Sequence, residues 1–110
     1  MKLPNVSSWR VDREKIEGYL LCPAHPDGAA KARFFRRFGF RVEDWRELAD
    51  ALRMHGQSHA VAEVVESRHG IRYSFDGRLR SPDGRNPTVR SVWIVEQGSS
   101  EARLITAYPA

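Results

Sequence analysis

The sequence predicts an α+β domain in which three N-terminal helices pack on a four-stranded antiparallel sheet. Apolar residues repeat at helical spacing in the first half of the chain, and they alternate with polar residues, as in strands, after Gly56. Short turns between the strands favour an antiparallel meander. Helices followed by strands indicate the α+β class. The length of 110 residues suits one domain over residues 1–110.

The first predicted helix follows an irregular or extended arm of about ten residues. Asp12 is a suitable N-cap, because a carboxylate there can accept a hydrogen bond from a free backbone N–H. Ile16 and Leu20 follow with helical spacing, and Pro23 marks the end. The arm lies outside the four predicted strands.

The second and third predicted helices each carry an apolar stripe. The second begins near Gly28 or Ala29, and Gly39 stands where glycine commonly ends a helix. Its stripe consists of Ala30, Phe34, Phe35 and Phe38. The third helix runs from about Glu43 to Met54, with Trp45, Leu48, Ala49 and Leu52 on its stripe. These stripes predict that one face of each helix is buried.

Four strands are predicted after Gly56. They cover about residues 60–66, 71–75, 88–95 and 102–108. The second is the clearest, because Ile71, Tyr73 and Phe75 alternate with polar residues. The turn sequences 81–84 (SPDG) and 98–100 (GSS) separate the later strands.

The positive charge of the chain comes mainly from arginine. Lysine and arginine number 18 against 14 acidic residues, for a net charge of +4, and only three of the 18 are lysines. Arginine fits phosphate with two parallel hydrogen bonds, so this composition suits an anionic partner such as nucleic acid. A GC-rich genome would give the same composition, and both interpretations stay open.

Cysteine content and hydropathy exclude several classes of protein. Cys22 is alone, which excludes an internal disulfide and metal clusters built on cysteine pairs. No apolar run approaches the length of a membrane span, and the N-terminus is too polar for a signal peptide. The sequence therefore predicts a cytoplasmic protein without a membrane partner, metal or other cofactor.

The loop before the second helix carries the first candidate site residues. His25 precedes the helix N-terminus, where backbone N–H groups favour anions, and Lys31 lies in the first turn. Histidine suits acid–base chemistry at neutral pH. Together these side chains could hold a phosphate and move a proton. The alternative is a turn histidine bonded to backbone beside a solvated lysine.

Two strands supply the other candidates. Thr106 and Tyr108 share one face of the last strand, where a hydroxyl and a phenol could bind phosphate or stack on a base, although both residues are also common in strands. Arg90 lies inside the third strand and could stabilise a phosphoryl transition state.

The other three histidines, His55, His59 and His69, are predicted to be surface or linker residues at the ends of elements. His55 and His59 have a spacing of four, but Gly56 and the missing carboxylate argue against zinc.

Residues 19–35 resemble a family of small bacterial domains of unknown function, with the pattern L-x-P-x-H-P-x-G-x-x-K-A-x-x-F. The stretches 82–85, 89–94 and 103–109 look like the same family, so that the resemblance covers most of the chain. It implies a domain that occurs alone or at the C-termini of bacterial polymorphic toxins.

The order of helices and strands also resembles the barnase–EndoU–colicin–RelE class of metal-independent ribonucleases. The sequence TAYP at residues 106–109 is similar to the end of EndoU-type domains, but two catalytic histidines on adjacent strands are missing. This second resemblance implies a toxin-like ribonuclease in which the 2′-hydroxyl of RNA attacks the neighbouring phosphate.

The leading hypothesis is therefore metal-independent RNA cleavage. It assigns His25 as base or acid, Lys31 and Arg90 to phosphate charge, and Thr106 and Tyr108 to positioning. RNA and an acidic inhibitor protein, such as an antitoxin or immunity protein, would be its partners. Two alternatives stay open: a non-catalytic protein-binding module of a toxin system, and an RNA-binding domain without catalysis.

Overall fold

The computed structural model describes residues 6–110. Helix α1 spans Arg13–Lys15 and continues as a π-helical segment over Ile16–Leu20, and it is followed by α2 at Ala29–Arg37. A 3-10 turn at Val42–Asp44 leads into α3 at Trp45–Ser58. The strands are β1 at Ser8–Arg10, β2 at Val61–Ser67, β3 at Gly70–Arg78, β4 at Thr88–Glu96 and β5 at Glu101–Pro109.

The sheet has five strands in the order β1-β5-β4-β3-β2, and it is mixed. Strands β2 to β5 pair antiparallel, whereas β1 pairs parallel to β5, from Ser8 opposite Glu101 to Arg10 opposite Arg103. The prediction of a four-stranded, wholly antiparallel sheet is wrong. Within the predicted arm, Ser8–Arg10 forms a strand because Trp9 packs on Trp93 and Phe75, with ring centroids 5.0 and 5.8 Å away. Residues 1–5 of the arm lie outside the described residues. The α+β class is retained.

The core lies between the helices and one face of the sheet. Its buried residues come from the π-helical segment, α2, α3, β3, β4 and β5, and from the loops between elements. They are Val11, Ile16, Leu20, Leu21, Phe35, Phe40, Leu48, Ala49, Leu52, Phe75, Leu79, Val89, Trp93, Ala102, Leu104 and Ala107. Burial of this apolar surface is the main stabilising contribution to the fold.

Helix α2 begins and ends as predicted, but its buried face is turned. Gly39 has φ +99° just after the helix, a conformation that favours glycine. Ala32 and Phe35 are buried, whereas Ala30 is exposed and Phe34 and Phe38 are half-buried. Of the four residues predicted to face the core, only Phe35 is therefore buried.

His55 is buried, and its prediction as a surface or linker residue is wrong. Helix α3 continues four residues beyond the predicted end, so that His55 lies inside it with 2% of its surface exposed. Its Nε2 lies 2.9 Å from the Val89 carbonyl and 3.0 Å from that of Gly77, and its Nδ1 lies 2.7 Å from Ser91 Oγ. Trp93 Nε1 donates to the same hydroxyl. These partners fix a neutral ring with the proton on Nε2.

The last residues of α3 lie unusually close to the sheet. A Cβ on Gly56 would stand 2.6 Å from Trp9 Cζ3 and 3.1 Å from Trp93 Nε1, so glycine permits this approach. Within residues 6–110, no helix has the length and apolar character needed to cross a membrane.

Acid should destabilise the fold through His55. Burial lowers its pKa, and the neighbouring His59 charge adds to this effect. In the unfolded chain, the pKa of His55 is about 6.5, and above this pH the stabilisation from the neutral side chain is complete. It is lost as the pH falls through the lower pKa that His55 has in the folded protein. Between about pH 7.5 and pH 5.5, the free energy of unfolding should fall by up to about 1.4 kcal/mol per pH unit more in the wild type than in His55→Gln.

Urea unfolding at the two pH values measures this difference. His69→Gln, at an exposed turn, is the matched control and should keep the wild-type dependence. Equal slopes in the wild type and His55→Gln would contradict the assignment.

Candidate functional site

The candidate site lies at the edge of β5 beyond the end of β1. Because β1 pairs only with residues 101–103, the edge of β5 from Leu104 onward is open. The π-helical segment contacts α2, and α2 contacts β5, beside this open edge. Three distant parts of the chain therefore meet here: the segment 16–20, the loop with the start of α2, and the end of β5.

A bulge in β5 directs its side chains into this region. Trp93 pairs with Leu104 but Val92 pairs with Thr106, so Ile105 is the extra residue. Leu104 and Ala107 thus both reach the core, although they are three residues apart. Thr106 lies on the side of Val92, away from the core.

Tyr19 joins the three segments. Lys31 Nζ donates a short hydrogen bond to the Tyr19 hydroxyl, which also lies 3.2 Å from Thr106 Oγ1. The sequence analysis assigned Tyr19 no role in the site. The signal that could have found it was its position at the start of the stretch that includes the loop and Lys31. The phenol belongs at the centre of the site.

His25 stands beside Tyr19, with the rings edge to face and their centroids 5.0 Å apart. Its Nδ1 accepts hydrogen bonds from the backbone N–H groups of Asp27 and Gly28, at 3.0 and 3.1 Å. The carbonyl of His25 accepts from Gly28 and Ala29. His25 therefore organises the turn that starts α2, which is the structural role that the sequence left open.

These backbone bonds limit the chemistry of His25. An acceptor Nδ1 in a neutral ring requires the proton on Nε2, which can then only donate a hydrogen bond. Protonating Nδ1 would cost both backbone bonds. In this arrangement His25 is suited to donate a hydrogen bond to an anion, rather than to remove a proton.

Tyr108 and Arg90 continue the site along the sheet. Lys31 Nζ lies 5.9 Å from the centre of the Tyr108 ring, and Tyr108 is the cross-strand partner of Arg90. Arg90 makes two hydrogen bonds to Asp76, at 2.7 and 2.8 Å, and lies 3.8 Å from Glu63. The hydrogen bonds that Arg90 donates to Asp76 raise the pKa of Arg90 and lower the pKa of Asp76. Arg90 is thus a cation that is already ion-paired, and it lies at the margin of the candidate site.

An open cleft of about 610 Å³ faces this group. It is lined by Asp12, Glu14, Lys15, Gly18, Tyr19, His25, Arg103, Ile105 and Thr106. Two cations, two carboxylates, a phenol and an imidazole are thus among the side chains that line one cleft. Its volume lies in the range of ligand sites.

The electrostatics favour ionisation of Tyr19. Burial raises the pKa of the phenol, but the hydrogen bonds from Lys31 and Thr106 and the charges of Lys31 and Lys15 outweigh it. The pKa of Tyr19 therefore lies below its ordinary value. Phenols with a lowered pKa beside a cation in a cleft are typical of functional sites.

The outer face of α2 is strongly basic. The helix contains Lys31, Arg33, Arg36 and Arg37 and no acidic residue. Within residues 6–110, seven other arginines lie within 4.0 Å of a carboxylate, but none of the three on α2 does. Arg36 Nε donates to the Leu21 carbonyl, and the residue is exposed. This face can attract an anion without first breaking an ion pair.

The structure brings together four of the five predicted site residues. His25, Lys31 and Thr106 contact Tyr19, and Tyr108 lies beside Lys31. Arg90 adjoins them as the cross-strand partner of Tyr108. The remaining histidines lie outside the cleft lining: one is in the core, His59 lies 3.1 Å from the Arg78 carbonyl, and His69 lies in the β2–β3 turn. No three His, Cys, Asp or Glu side chains within residues 6–110 are arranged to hold a metal ion.

The fold is similar to that of a chain in a solved protein complex. The chain superposes with a TM-score of 0.73 on a chain of the solved structure described as "Contact-dependent growth inhibition toxin - immunity protein complex from Klebsiella pneumoniae 342". The two sequences are 18% identical, and the match covers 91% of this chain and 98% of that chain. At this identity the similarity shows the shared fold alone.

The sequence itself belongs to DUF6883, a family of domains of unknown function whose model matches residues 2–110. The predicted membership in an uncharacterised domain family is thereby confirmed. No curated protein matches the chain at a significant level.

Substitution of His25 by two different residues should separate its structural role from its chemistry. His25→Ala removes the Nδ1 acceptor and should lower the free energy of unfolding by about 1 kcal/mol, as loss of a helix cap does. His25→Asn retains an acceptor at nearly the same place and should cost less than half as much. Urea unfolding measures both values. Equal losses in the two variants would contradict the turn-forming role.

Proposed function

We propose that the chain is a toxin-system protein that cleaves RNA without a metal ion. The observation that supports this most is the convergence of His25, Lys31 and Thr106 on Tyr19 beside a cleft, with Tyr108 next to Lys31. These residues come from a loop, two helical segments and the end of the sheet. Such convergence of polar, chemically active side chains is what a phosphate site requires.

The proposed reaction is attack of the RNA 2′-hydroxyl on the adjacent phosphorus, which leaves a 2′,3′-cyclic phosphate and a 5′-hydroxyl. It needs a proton acceptor, a proton donor and stabilisation of the negative charge that develops on the phosphate. Lys31 supplies a positive charge, and Thr106 and Tyr108 position the phosphate or a base. His25 supplies the Nε2–H that its turn leaves free for an anion.

The ion pair with Asp76 limits how Arg90 can interact with a phosphate. Asp76 already satisfies the guanidinium with two hydrogen bonds. A phosphate would have to compete with this carboxylate, or accept a hydrogen bond from the side that faces Tyr108. Arg90 is therefore proposed to stabilise charge at the margin of the site and not to bind the ground-state phosphate.

A restrained ribonuclease also implies a protein partner. The net charge of +4 suits an acidic inhibitor, because complementary charge accelerates association and discriminates against wrong partners. The basic face of α2 and the cleft are both surfaces that such an inhibitor could cover.

A second candidate function, a non-catalytic protein-binding module, has one observation in its favour. Strand β2 is at the edge of the sheet, and Val64 and Val65 are 53% and 48% exposed there. An edge strand with exposed valines can pair with a strand of another protein. This function predicts a tight protein complex and no RNA cleavage.

Cleavage of RNA in excess EDTA is the first test. Wild-type protein should produce fragments that end in 2′,3′-cyclic phosphate. His25→Asn should slow cleavage by about 100-fold or more, because it removes the Nε2–H donor while it retains the turn. End-group analysis and cleavage rates measure both.

His69→Asn is the matched control, since it makes the same change at an exposed turn, and it should keep the wild-type rate. No cleavage by folded wild-type protein would refute the proposed activity and would favour the protein-binding module.

Salt dependence tests whether α2 contacts the RNA backbone. Arg33→Gln together with Arg37→Gln removes two cations that have no carboxylate partner within residues 6–110. The slope of log binding constant against log salt concentration should decrease in magnitude by about 1.4, or about 0.7 for each lost phosphate contact with single-stranded RNA. Fluorescence anisotropy at several salt concentrations measures the slope.

The charge-matched control is the pair Arg13→Gln and Arg46→Gln. Arg13 is paired with Glu17, and Arg46 lies over the Trp45 ring. This control should leave the slope nearly unchanged. Equal reductions in both double variants would show that net charge alone, and not the face of α2, determines binding.

A further inference from the structure

The direct contact between Tyr19 and Lys31 gives the site a function that neither residue would have alone. We infer that Tyr19 and Lys31 are the proton-transferring pair of the site, with the Tyr19 phenolate as proton acceptor and the Lys31 ammonium as proton donor. This inference rests on the proposed RNA cleavage. It assigns Tyr19 as a catalytic residue and gives Lys31 a second role besides its charge.

Geometry places the phenol oxygen where a proton acceptor is needed. Tyr19 lines the cleft and is half-buried, so that its oxygen is held by the protein and still reachable. A phenolate oxygen can accept about three hydrogen bonds, and Lys31 and Thr106 supply two. The remaining position is available to a substrate hydroxyl.

The state of His25 makes another acceptor necessary. Its Nδ1 is occupied by two backbone N–H groups, and its Nε2 carries the proton. Among the other residues that line the cleft, Asp12 is already bonded to Arg10, at 2.6 Å. Glu14 lies on α1, and within residues 6–110 it has no ion pair with a lysine to which it could pass on an accepted proton. Tyr19 alone combines direct contact with a cation and a place beside Thr106.

The charges around the phenol act in the same direction. Lys15 Nζ, from α1, lies 5.3 Å from the centre of the Tyr19 ring, and Lys31 Nζ, from α2, lies 4.8 Å from it. The other titratable residues that line the cleft are Arg103 on β5, His25 in the loop before α2, Glu14 on α1 and Asp12 at the N-cap of α1. The two lysines are the charges that lower the pKa of Tyr19, and both favour the phenolate.

The proposed steps balance without a metal ion or a co-reactant. Tyr19 Oη takes the proton from the 2′-hydroxyl as that oxygen forms its bond to phosphorus. The bond from phosphorus to the 5′-oxygen breaks, and the departing oxygen takes a proton from Lys31 Nζ. The pair is then a neutral phenol in contact with a neutral amine. Transfer of the phenol proton to the amine restores the starting state, and no net proton is consumed.

The experiment compares single-turnover RNA cleavage by wild type and Tyr19→Phe across pH. Wild-type rates should rise with pH until Tyr19 is ionised, below the ordinary tyrosine pKa of about 10. Tyr19→Phe keeps the ring but lacks the acceptor, so its rate should fall by about 100-fold or more and should lose this rise. Tyr73→Phe, at a half-buried position on β3, is the matched control and should keep the wild-type rate and profile.

A second readout does not depend on activity. Near-ultraviolet absorbance of phenolate should reveal one of the three tyrosines ionising at lower pH than the others, and this transition should be missing in Tyr19→Phe. Lys31→Met should move it to higher pH, whereas Arg33→Met, on the outward face of the same helix, should not. Thermal melting confirms that each variant is folded.

The outcomes separate this inference from the proposed function. If wild type cleaves RNA and Tyr19→Phe keeps its rate and pH profile, the proton pair is refuted and the ribonuclease stands. If wild type does not cleave RNA, the ribonuclease and the catalytic pair both fail. An unchanged Tyr19 transition in Lys31→Met would also overturn the pair, whatever the cleavage rates.

Discussion

The short parallel pairing of β1 with β5 is the constraint on which the site depends. Ser8–Arg10 covers the edge of β5 only as far as Arg103, and the chain then turns into α1. The open remainder of that edge is where the π-helical segment and α2 come to lie. A longer β1 would occupy the edge beside Thr106 and would exclude Tyr19 from its hydrogen bond. The same strand buries Trp9 against Trp93, so the arrangement that leaves the edge open is also part of the core.

The bulge at Ile105 is the second requirement, because it lets one strand serve the core and the site together. Leu104 and Ala107 are both buried at a spacing of three, which regular alternation of side chains does not allow. The extra residue sends Thr106 to the side of Val92, and Tyr108 follows opposite Arg90. Without the bulge, Thr106 would share the face of Leu104 and enter the core. An unpaired hydroxyl there would be costly, and Tyr19 would lose its partner.

Periodicity predicted those parts of the fold whose pattern is local. The start and end of α2 and the four later strands follow from apolar spacing and from glycine and proline at the turns. The role of β1 could not be predicted in this way, because three residues carry no period and the partner strand begins more than ninety residues later. The burial of His55 likewise depends on Ser91 and on two distant carbonyls. For the site, residue type indicated His25, Lys31, Thr106 and Tyr108, whereas Tyr19 acquires its character only from contacts across 12 and 87 residues of sequence.

The distribution of ion pairs indicates where an anion would lie. Arg90 has Asp76 at hydrogen-bonding distance and Glu63 nearby, so its surroundings are already neutral or negative. Lys31 instead contacts a phenol and faces two aromatic rings, which compensate its charge only partly unless the phenol is ionised. A phosphate that approached Lys31 would compete with the phenolate for the same ammonium, and would thereby raise the affinity of Tyr19 for a proton. In the proposed reaction, a phosphate that draws on Lys31 would therefore make Tyr19 a stronger base.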